Sequence, residues 1–148
     1  MQGKHLHEYA VIRLVPKVER EEFFNVGVIL FSKRAGYIKS VCQVNEDKLK
    51  LYVSEVDREL VFAHLDVFNK ICSGAKDGGP IAQLDVPERF RWLTAVRSSC
   101  VQTSRPHAGF SDDLDRTLER EQFDLLLKYL LIILKYQIMI FIGGRDLL

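Results

Sequence analysis

The segment NVGVILF, residues 25–31, constrains the fold more than any other part of the sequence. Its residues are apolar at both alternating sets of positions, and successive side chains of a strand point to opposite faces of a sheet. The segment therefore predicts a strand that is covered on both sides and lies centrally in a sheet. Gly27, in its middle, indicates a bulge or a close approach of a neighbouring backbone.

Two further strands are predicted beside it. The β-branched and apolar run YAVIRLV, residues 9–15, predicts a strand that Pro16 ends, because proline lacks a backbone donor. The polar turn SKRAGY offers Gly36 for a positive φ and leads into a strand at 37–44. The chain is therefore expected to open with antiparallel strands.

Helices are predicted after these strands. The capping box SEVD, residues 54–57, starts a stripe of apolar residues at three- and four-residue intervals, and Gly74 is placed to end that helix. Another capped helix is predicted to begin at Ser111 or Asp112. Between them, ERFRWLTA is read as a short helix or an extended piece, and residues 99–103 as a strand.

These elements predict one α+β domain over residues 1–148, with a mostly antiparallel sheet of about four strands and two main helices packed on it. The formal net charge is +1, so no overall basic field favours nucleic acid, and a polyanion would need a local patch. The three cysteines form neither a CxxC pair nor a disulfide framework, which favours a cytoplasmic setting. The N-terminal residues do not have the pattern of a signal peptide.

The run LLLKYLLIILKYQIMIFI, residues 125–142, is the most hydrophobic part of the chain. Lys128 and Lys135 are seven residues apart and share a helical face, which disfavours a membrane span. We expect a buried helix that runs on into a β-prone piece, YQIMIFI. The alternative is an interface, either between copies of the chain or with a membrane surface, because an exposed segment of this kind would aggregate.

The stretch PERFRWLTAVRSSC, residues 87–100, holds three arginines and the only tryptophan. Guanidinium groups are planar forks that suit phosphate or carboxylate, and nearby serine hydroxyls could add donors. We also consider Arg13, which would join such a site if it emerged on the same sheet face. The candidate anion-binding residues are Arg13, Arg89, Arg91, Arg97, Ser98 and His107.

A structural interpretation competes with the anion site. In it, the aromatic residues and Leu93 anchor the segment in the core, Trp92 included, while the arginines pair with nearby carboxylates. Arg13 would then pair with Glu19, Glu21 or Glu22 across the following turn, because a buried cation needs a partner.

Catalytic and metal-binding patterns are weak in this sequence. Cys100, His107 and the aspartates after it contain the groups of a thiol nucleophile, but nothing brings them together. Asp112 and Asp113 fit helix caps better than magnesium ligands, and His5 and His7 are expected in a disordered terminus. No Walker loop, dinucleotide fingerprint or zinc spacing occurs. We therefore expect no catalytic residues, cofactor or metal.

Several ordered motifs resemble a bacterial family that is known only as domain of unknown function 3037. The resemblance covers residues 8–126 and rests on YAVIRLVP, EREEFFNVGVILF, GGPIAQL, ERFRWLTAVRSS and PHAGF. The sequence departs from the family pattern at Val96, where proline is expected, and at Ala108, where threonine is expected. Residues 127–148 form an apolar C-terminal extension that is unlike the usual family ending.

Two functions follow as expectations. The first is a non-catalytic accessory module that binds a protein partner, and the resemblance implies a HipA-like kinase as that partner. Homo-oligomers through the C-terminal apolar segment are a second form of the same idea. The alternative is a module that binds a phosphate-bearing ligand or nucleic acid, or an enzyme acting on such a ligand, through the arginine-lined site.

Overall fold

The computed structural model describes residues 4–17, 22–53 and 55–143. These residues form five strands and four α-helices. The strands are β1 (His5–Lys17), β2 (Glu22–Ser32), β3 (Tyr37–Cys42), β4 (Val101–Thr103) and β5 (His107–Ser111). The helices are α1 (Glu46–Tyr52), α2 (Glu55–Ser73), α3 (Val86–Thr94) and α4 (Leu114–Gly143).

The strands form one antiparallel sheet in the order β3-β2-β1-β4. The free edge of β1 is shared, because β4 pairs with residues 12–14 and β5 pairs with residues 5–9. Strands β4 and β5 therefore share the fourth strand position of the sheet. The predicted α+β class and the antiparallel sheet are confirmed, with five strands where about four were expected.

A bulge in β2 changes which of its side chains point to each face of the sheet. The register with β1 shifts where Ile12 lies opposite Gly27 and Arg13 lies opposite Asn25, so one residue of β2 is extra. A Cβ at Gly27 would lie 2.2 Å from the Val41 carbonyl oxygen. The predicted close backbone approach at Gly27 is confirmed, and it lets β3 pair tightly with β2.

Both faces of the sheet are covered, as the central strand predicted. On one face the buried side chains of β1 and β2 meet α2 and α3, and the rings of Phe31 and Phe90 stack with centroids 4.6 Å apart. On the other face Val28 and Leu30 pack against Leu114 and Leu118 of α4. The molecule therefore has three layers, with helices on each side of the sheet.

Several element boundaries differ from the prediction. Strand β1 continues through Pro16 to Lys17, because proline is tolerated where the pairing with β2 is already irregular. The terminus expected to be disordered is instead part of β1, since His5 and His7 pair with Ser111 and Gly109 of β5. Helix α2 ends before Gly74, whose φ is 68° as predicted, whereas Ser54 of the capping box lies outside the described residues.

Two short elements were not predicted. Helix α1 begins after Asn45, whose side chain accepts a hydrogen bond from the Lys48 amide. Strand β5 begins at His107, in a segment for which no element was predicted. Both elements are short, and their sequences have little periodicity of their own.

The expectation for the C-terminal run is wrong in two respects. Helix α4 is continuous from Leu114 to Gly143, so YQIMIFI is helical. Its apolar side chains are exposed beyond Ile133 rather than buried. A β-prone sequence adopts a strand only where a partner strand is available, and no described strand borders this end of α4.

We expect Gly27→Ala to lower the free energy of unfolding by about 2–4 kcal/mol, because the new methyl group would overlap the backbone of β3. The matched control is Gly36→Asn, at φ 60° with no heavy atom near the Cβ position, which should cost less than about 1 kcal/mol. Urea unfolding of both variants measures the difference. Equal losses would show that β2 and β3 are not packed this closely.

Candidate functional site

Arg89 belongs to the interior. Helix α3 begins after Asp85, which accepts from the Glu88 amide, and this places Arg89 on the buried side of the helix. Its Nη1 donates to the carbonyl oxygens of Ile71 and Cys72 at 3.1 and 2.9 Å. A cation at the C-terminal end of a helix is favourable because the unpaired carbonyls there carry partial negative charge. Arg89 therefore caps α2.

Arg97 lies against Trp92. Its guanidinium carbon lies 3.8 Å from the indole centroid, and its Nη2 donates to the Trp92 carbonyl. The expectation that Trp92 is held in the core is wrong, since the residue is 38% exposed. Phe90 and Leu93 occupy the inner face of α3, and Trp92 lies outside that face, where Arg97 covers it. Partial burial lowers the pKa of Arg97 from its ordinary value.

Arg13 lies on the other side of the sheet. Its neighbours in β1, Ile12 and Leu14, point into the core that contains Phe90, and side chains alternate along a strand. The Arg13 guanidinium lies 4.3 Å from the ring centroid of Phe23, and its buried Nε has no hydrogen-bond partner among the described residues.

The predicted salt bridge of Arg13 finds no support in the part of the chain that is described. Glu19 and Glu21 lie outside that part, and Glu22 makes no ion pair with Arg13 there. The stacking on Phe23 takes the place of the expected carboxylate.

His107 is remote from the arginines. It pairs with Tyr9, and the two rings lie 5.5 Å apart, whereas Arg13 pairs with Gln102. Four residues of strand separate Tyr9 from Arg13, which is about 13 Å. Arg91 and Ser98 are exposed on the surface around α3. The six candidate residues therefore do not form a single anion-binding cleft.

Cys100 and His107, the possible groups of a thiol nucleophile, are also far apart. The Cys100 carbonyl accepts from the Val15 amide, six residues along β1 from the position that pairs with His107, which is about 20 Å. Burial raises the pKa of the Cys42 thiol to about 11 and also raises the pKa values of Cys72 and Cys100. These cysteines therefore carry neutral thiols near pH 7 and pack as small apolar side chains.

One of the two aspartates before α4 acts as a helix cap. Asp113 accepts from the Arg116 amide at 3.1 Å, so the interpretation of this residue as a helix cap is confirmed. Over the described ranges, no three His, Cys, Asp or Glu side chains converge in a way that could hold a metal ion.

His7, which the sequence analysis placed in a disordered terminus, is a buried imidazole. It is 4% exposed, and its Nδ1 has no hydrogen-bond partner within the described ranges. Gly109 makes room for it, because a Cβ there would lie 3.0 Å from His7 Nε2. Burial is the largest cause of a pKa below the ordinary histidine value, so His7 is neutral at pH 7.

A cavity of about 360 Å³ lies between α4 and the ends of β2 and β3. Its lining is mostly apolar, and its polar members include Asn25, Lys48 and Gln122. Gln122 is buried, and neither its amide oxygen nor its amide nitrogen has a hydrogen-bond partner among the described residues. The Lys48 Nζ lies 5.1 Å from the Phe24 ring centroid, and burial lowers its pKa.

The sequence held one signal for this cavity. Leu118, Gln122 and Leu125 lie three and four residues apart on the inner face of α4, so Gln122 is a polar residue at a core-facing position. Lys48 and Asn25 could not be placed beside it, because their approach depends on the unpredicted α1 and on the bulge in β2.

Helix α4 also carries an exposed apolar surface. Within the described residues it is the one helix long and apolar enough to cross a membrane by length and composition, and none of its most apolar window is buried. Twelve apolar side chains between Phe123 and Ile142 are 39% to 73% exposed.

The fold and the site geometry define a three-layered α+β domain that has an apolar cavity and a projecting apolar helix. The chain belongs to the family described as "Protein of unknown function (DUF3037)", whose model matches residues 9–125. The suspected resemblance is confirmed. Comparisons with curated proteins and with solved structures found no match.

We expect Arg89→Met to lower the free energy of unfolding by about 1.5–3 kcal/mol, because two carbonyls at the end of α2 lose a charged donor. Arg91→Met, two residues away and exposed, is the control and should change it by less than about 0.5 kcal/mol. Thermal or urea unfolding distinguishes them. If Arg91→Met were the more damaging variant, the assignment of Arg89 as a cap would be wrong.

The pH dependence of stability should contain a contribution from His7. Its pKa is lowered in the folded state, so its contribution is complete above the unfolded value of about 6.5 and is lost as the pH falls below it, because the unfolded chain takes up the proton more readily. Unfolding free energies measured from pH 7.5 to 5 should fall less steeply for His7→Gln than for the wild type.

Proposed function

We propose that this protein is a non-catalytic accessory module of the cytoplasm, and that it works by pairing the outer face of α4 with another protein helix. The partner that this face fits is a second copy of the chain. The observation that carries the proposal is the exposed apolar surface of α4.

The extent of this surface supports an interface. Twelve apolar side chains of α4 between Phe123 and Ile142 are each more than a third exposed. Together they present on the order of 1,000 Å², whereas a soluble monomer rarely exposes more than several hundred Å² in one apolar patch. A standard interface buries about 800 Å² on each partner, an area that the exposed apolar surface around this helix can supply.

The outer stripe of α4 has the spacing of a helix-pairing seam. We define this outer stripe as Phe123, Leu127, Leu130, Leu134 and Gln137, which are separated by four, three, four and three residues. Apolar residues at alternating steps of three and four form the seam of a coiled coil. Phe123, Leu127 and Leu134 lie on the side of α4 away from Leu118, which packs against the sheet, and Leu130 also borders the cavity.

Gln137 favours a second copy as the occupant. It is the polar member of an otherwise apolar stripe. A single polar residue in a helix-pairing seam sets register at some cost in stability, because it must find a hydrogen-bonding partner. Another copy supplies the same amide, which can donate and accept at once.

The position of α4 on the sheet argues against a membrane span. Ile133 is the last residue of the helix that lines the cavity beside the sheet. The helix beyond it, from Leu134 to Gly143, is about 15 Å long at 1.5 Å per residue, and the hydrocarbon core of a bilayer is about 30 Å thick. A span would therefore require α4 to leave the sheet and expose Val28 and Leu30.

The anion-binding alternative receives less support. It needs several arginines in one cleft, and Arg89 and Arg97 are engaged by carbonyl oxygens while Arg13 lies across the sheet. A kinase partner, which the family resemblance implied, would have to use the same outer stripe.

Sedimentation equilibrium of the full chain over a hundredfold range of concentration tests the proposal. We expect a reversible monomer–dimer equilibrium. Leu134→Glu, in the outer stripe, should weaken the dimer by at least about tenfold, because it buries a charge in the seam. Lys135→Glu, its neighbour outside the stripe, is the matched control and should leave the dimer intact.

Three results would overturn self-pairing. The first is a wild-type protein that stays monomeric throughout the range, and the second is an equal effect of the two variants. The third is a wild-type protein that partitions onto phosphatidylcholine vesicles in preference to dimerising, which would make the outer stripe a membrane surface.

A further inference from the structure

The side-chain amide of Gln122 is buried in the lining of the cavity under α4. Gln122 is 8% exposed, and neither its amide oxygen nor its amide nitrogen makes a hydrogen bond within the described residues. A carboxamide can donate two hydrogen bonds and accept two. A buried polar group without a partner is costly, so the site favours a ligand group that can donate and accept there.

The size and the walls of the cavity favour an apolar ligand body beside that group. Its volume of about 360 Å³ lies at the lower end of the range for small-molecule pockets. Most of its lining is apolar, including Phe24, Val44 and Leu126. These side chains offer no hydrogen-bonding groups, so they favour an alkyl or aryl group of modest length over water.

The polar part of the lining favours a ligand without charge. Three exposed carboxamides, Asn25, Gln43 and Asn45, line the cavity together with Gln122, and no aspartate or glutamate does so among the described residues. Lys48 also lines it, but this residue already interacts with other groups of the chain and is not assigned to a ligand. Burying an ion without an opposite charge costs more than burying a neutral amide, and carboxamides match a neutral group that both donates and accepts.

We propose that the cavity between α4, β2 and β3 binds a small neutral molecule that carries an amide group on an apolar body. The amide group pairs with Gln122, and the apolar body lies between Val44 and Leu126. Primary aliphatic amides and lactams have this chemistry.

The cavity and the outer stripe share Leu130, so ligand binding and self-pairing influence each other. Leu134 belongs to the outer stripe and is not among the described residues that line the cavity. The variant Leu134→Glu therefore provides unpaired chains in which the cavity keeps its lining. Binding to these chains does not depend on whether the wild type pairs, so a failure of self-pairing and a failure of the ligand site are distinguishable.

NMR titration of the full chain with hexanamide tests the proposal, in the wild type and in Leu134→Glu. We expect saturable shifts in both proteins that include the side-chain amide signal of Gln122. Hexanoate and hexylammonium have the same chain length and a charge, and should bind at least about tenfold more weakly. Heptan-2-one replaces the amide nitrogen of hexanamide by a methyl group, and should also bind more weakly because it cannot donate.

Variants in the Leu134→Glu chain locate the site. Gln122→Leu should weaken hexanamide by about threefold to tenfold without weakening heptan-2-one, because only the amide loses a partner. Leu126→Trp, outside the outer stripe, should weaken both ligands by filling part of the cavity. The matched control is Gln137→Leu, at the second glutamine of α4, which should leave hexanamide binding unchanged.

Circular dichroism spectra establish that each variant is folded. Hexanamide binding that is unchanged by both Gln122→Leu and Leu126→Trp would place the ligand elsewhere and overturn the proposal. Heptan-2-one or hexanoate binding as tightly as hexanamide would overturn the neutral amide. The absence of saturable shifts in Leu134→Glu would overturn the site, whatever the oligomeric state of the wild type.

Discussion

The two-sided burial of β2 is the constraint on which the rest of the structure depends. Because Val28 and Leu30 face one helical layer while Ile29 and Phe31 face the other, the sheet cannot be left open to water on either side. The bulge beside Gly27 then permits close pairing with β3. Helix α4 lies where it does because Val28 and Leu30 require a cover.

Most of the candidate anion-binding arginines have structural partners. Arg89 completes α2, Arg97 covers Trp92, and Arg13 stacks on Phe23. A guanidinium group has both a flat apolar face and a set of donors, so it can cover an aromatic ring and bind a carbonyl oxygen at once. A cluster of arginines in a sequence is therefore consistent with cap and packing roles as well as with anion binding.

Strong local patterns predicted much of the fold, and tertiary relations decided the rest. The alternation in NVGVILF, the stripe of α2 and the turn at Gly36 each carry their information within a few residues. No local pattern gives the position of Arg13 relative to Arg89, because that position depends on which face of the sheet α3 covers. The cavity is lined by Lys48 and Gln122, residues far apart in sequence. The C-terminal run was misread because its composition fits a buried segment as well as an exposed helix.

Helix α4 belongs to two surfaces at once, since Leu130 lines the cavity and also lies in the outer stripe. A rigid helix cannot move on one side without moving on the other. Any molecule whose affinity for the cavity depends on the position of α4 must therefore alter the affinity of the helix for its partner, and the partner must alter the affinity for that molecule by the same factor. The two surfaces are thermodynamically linked through a single turn of helix.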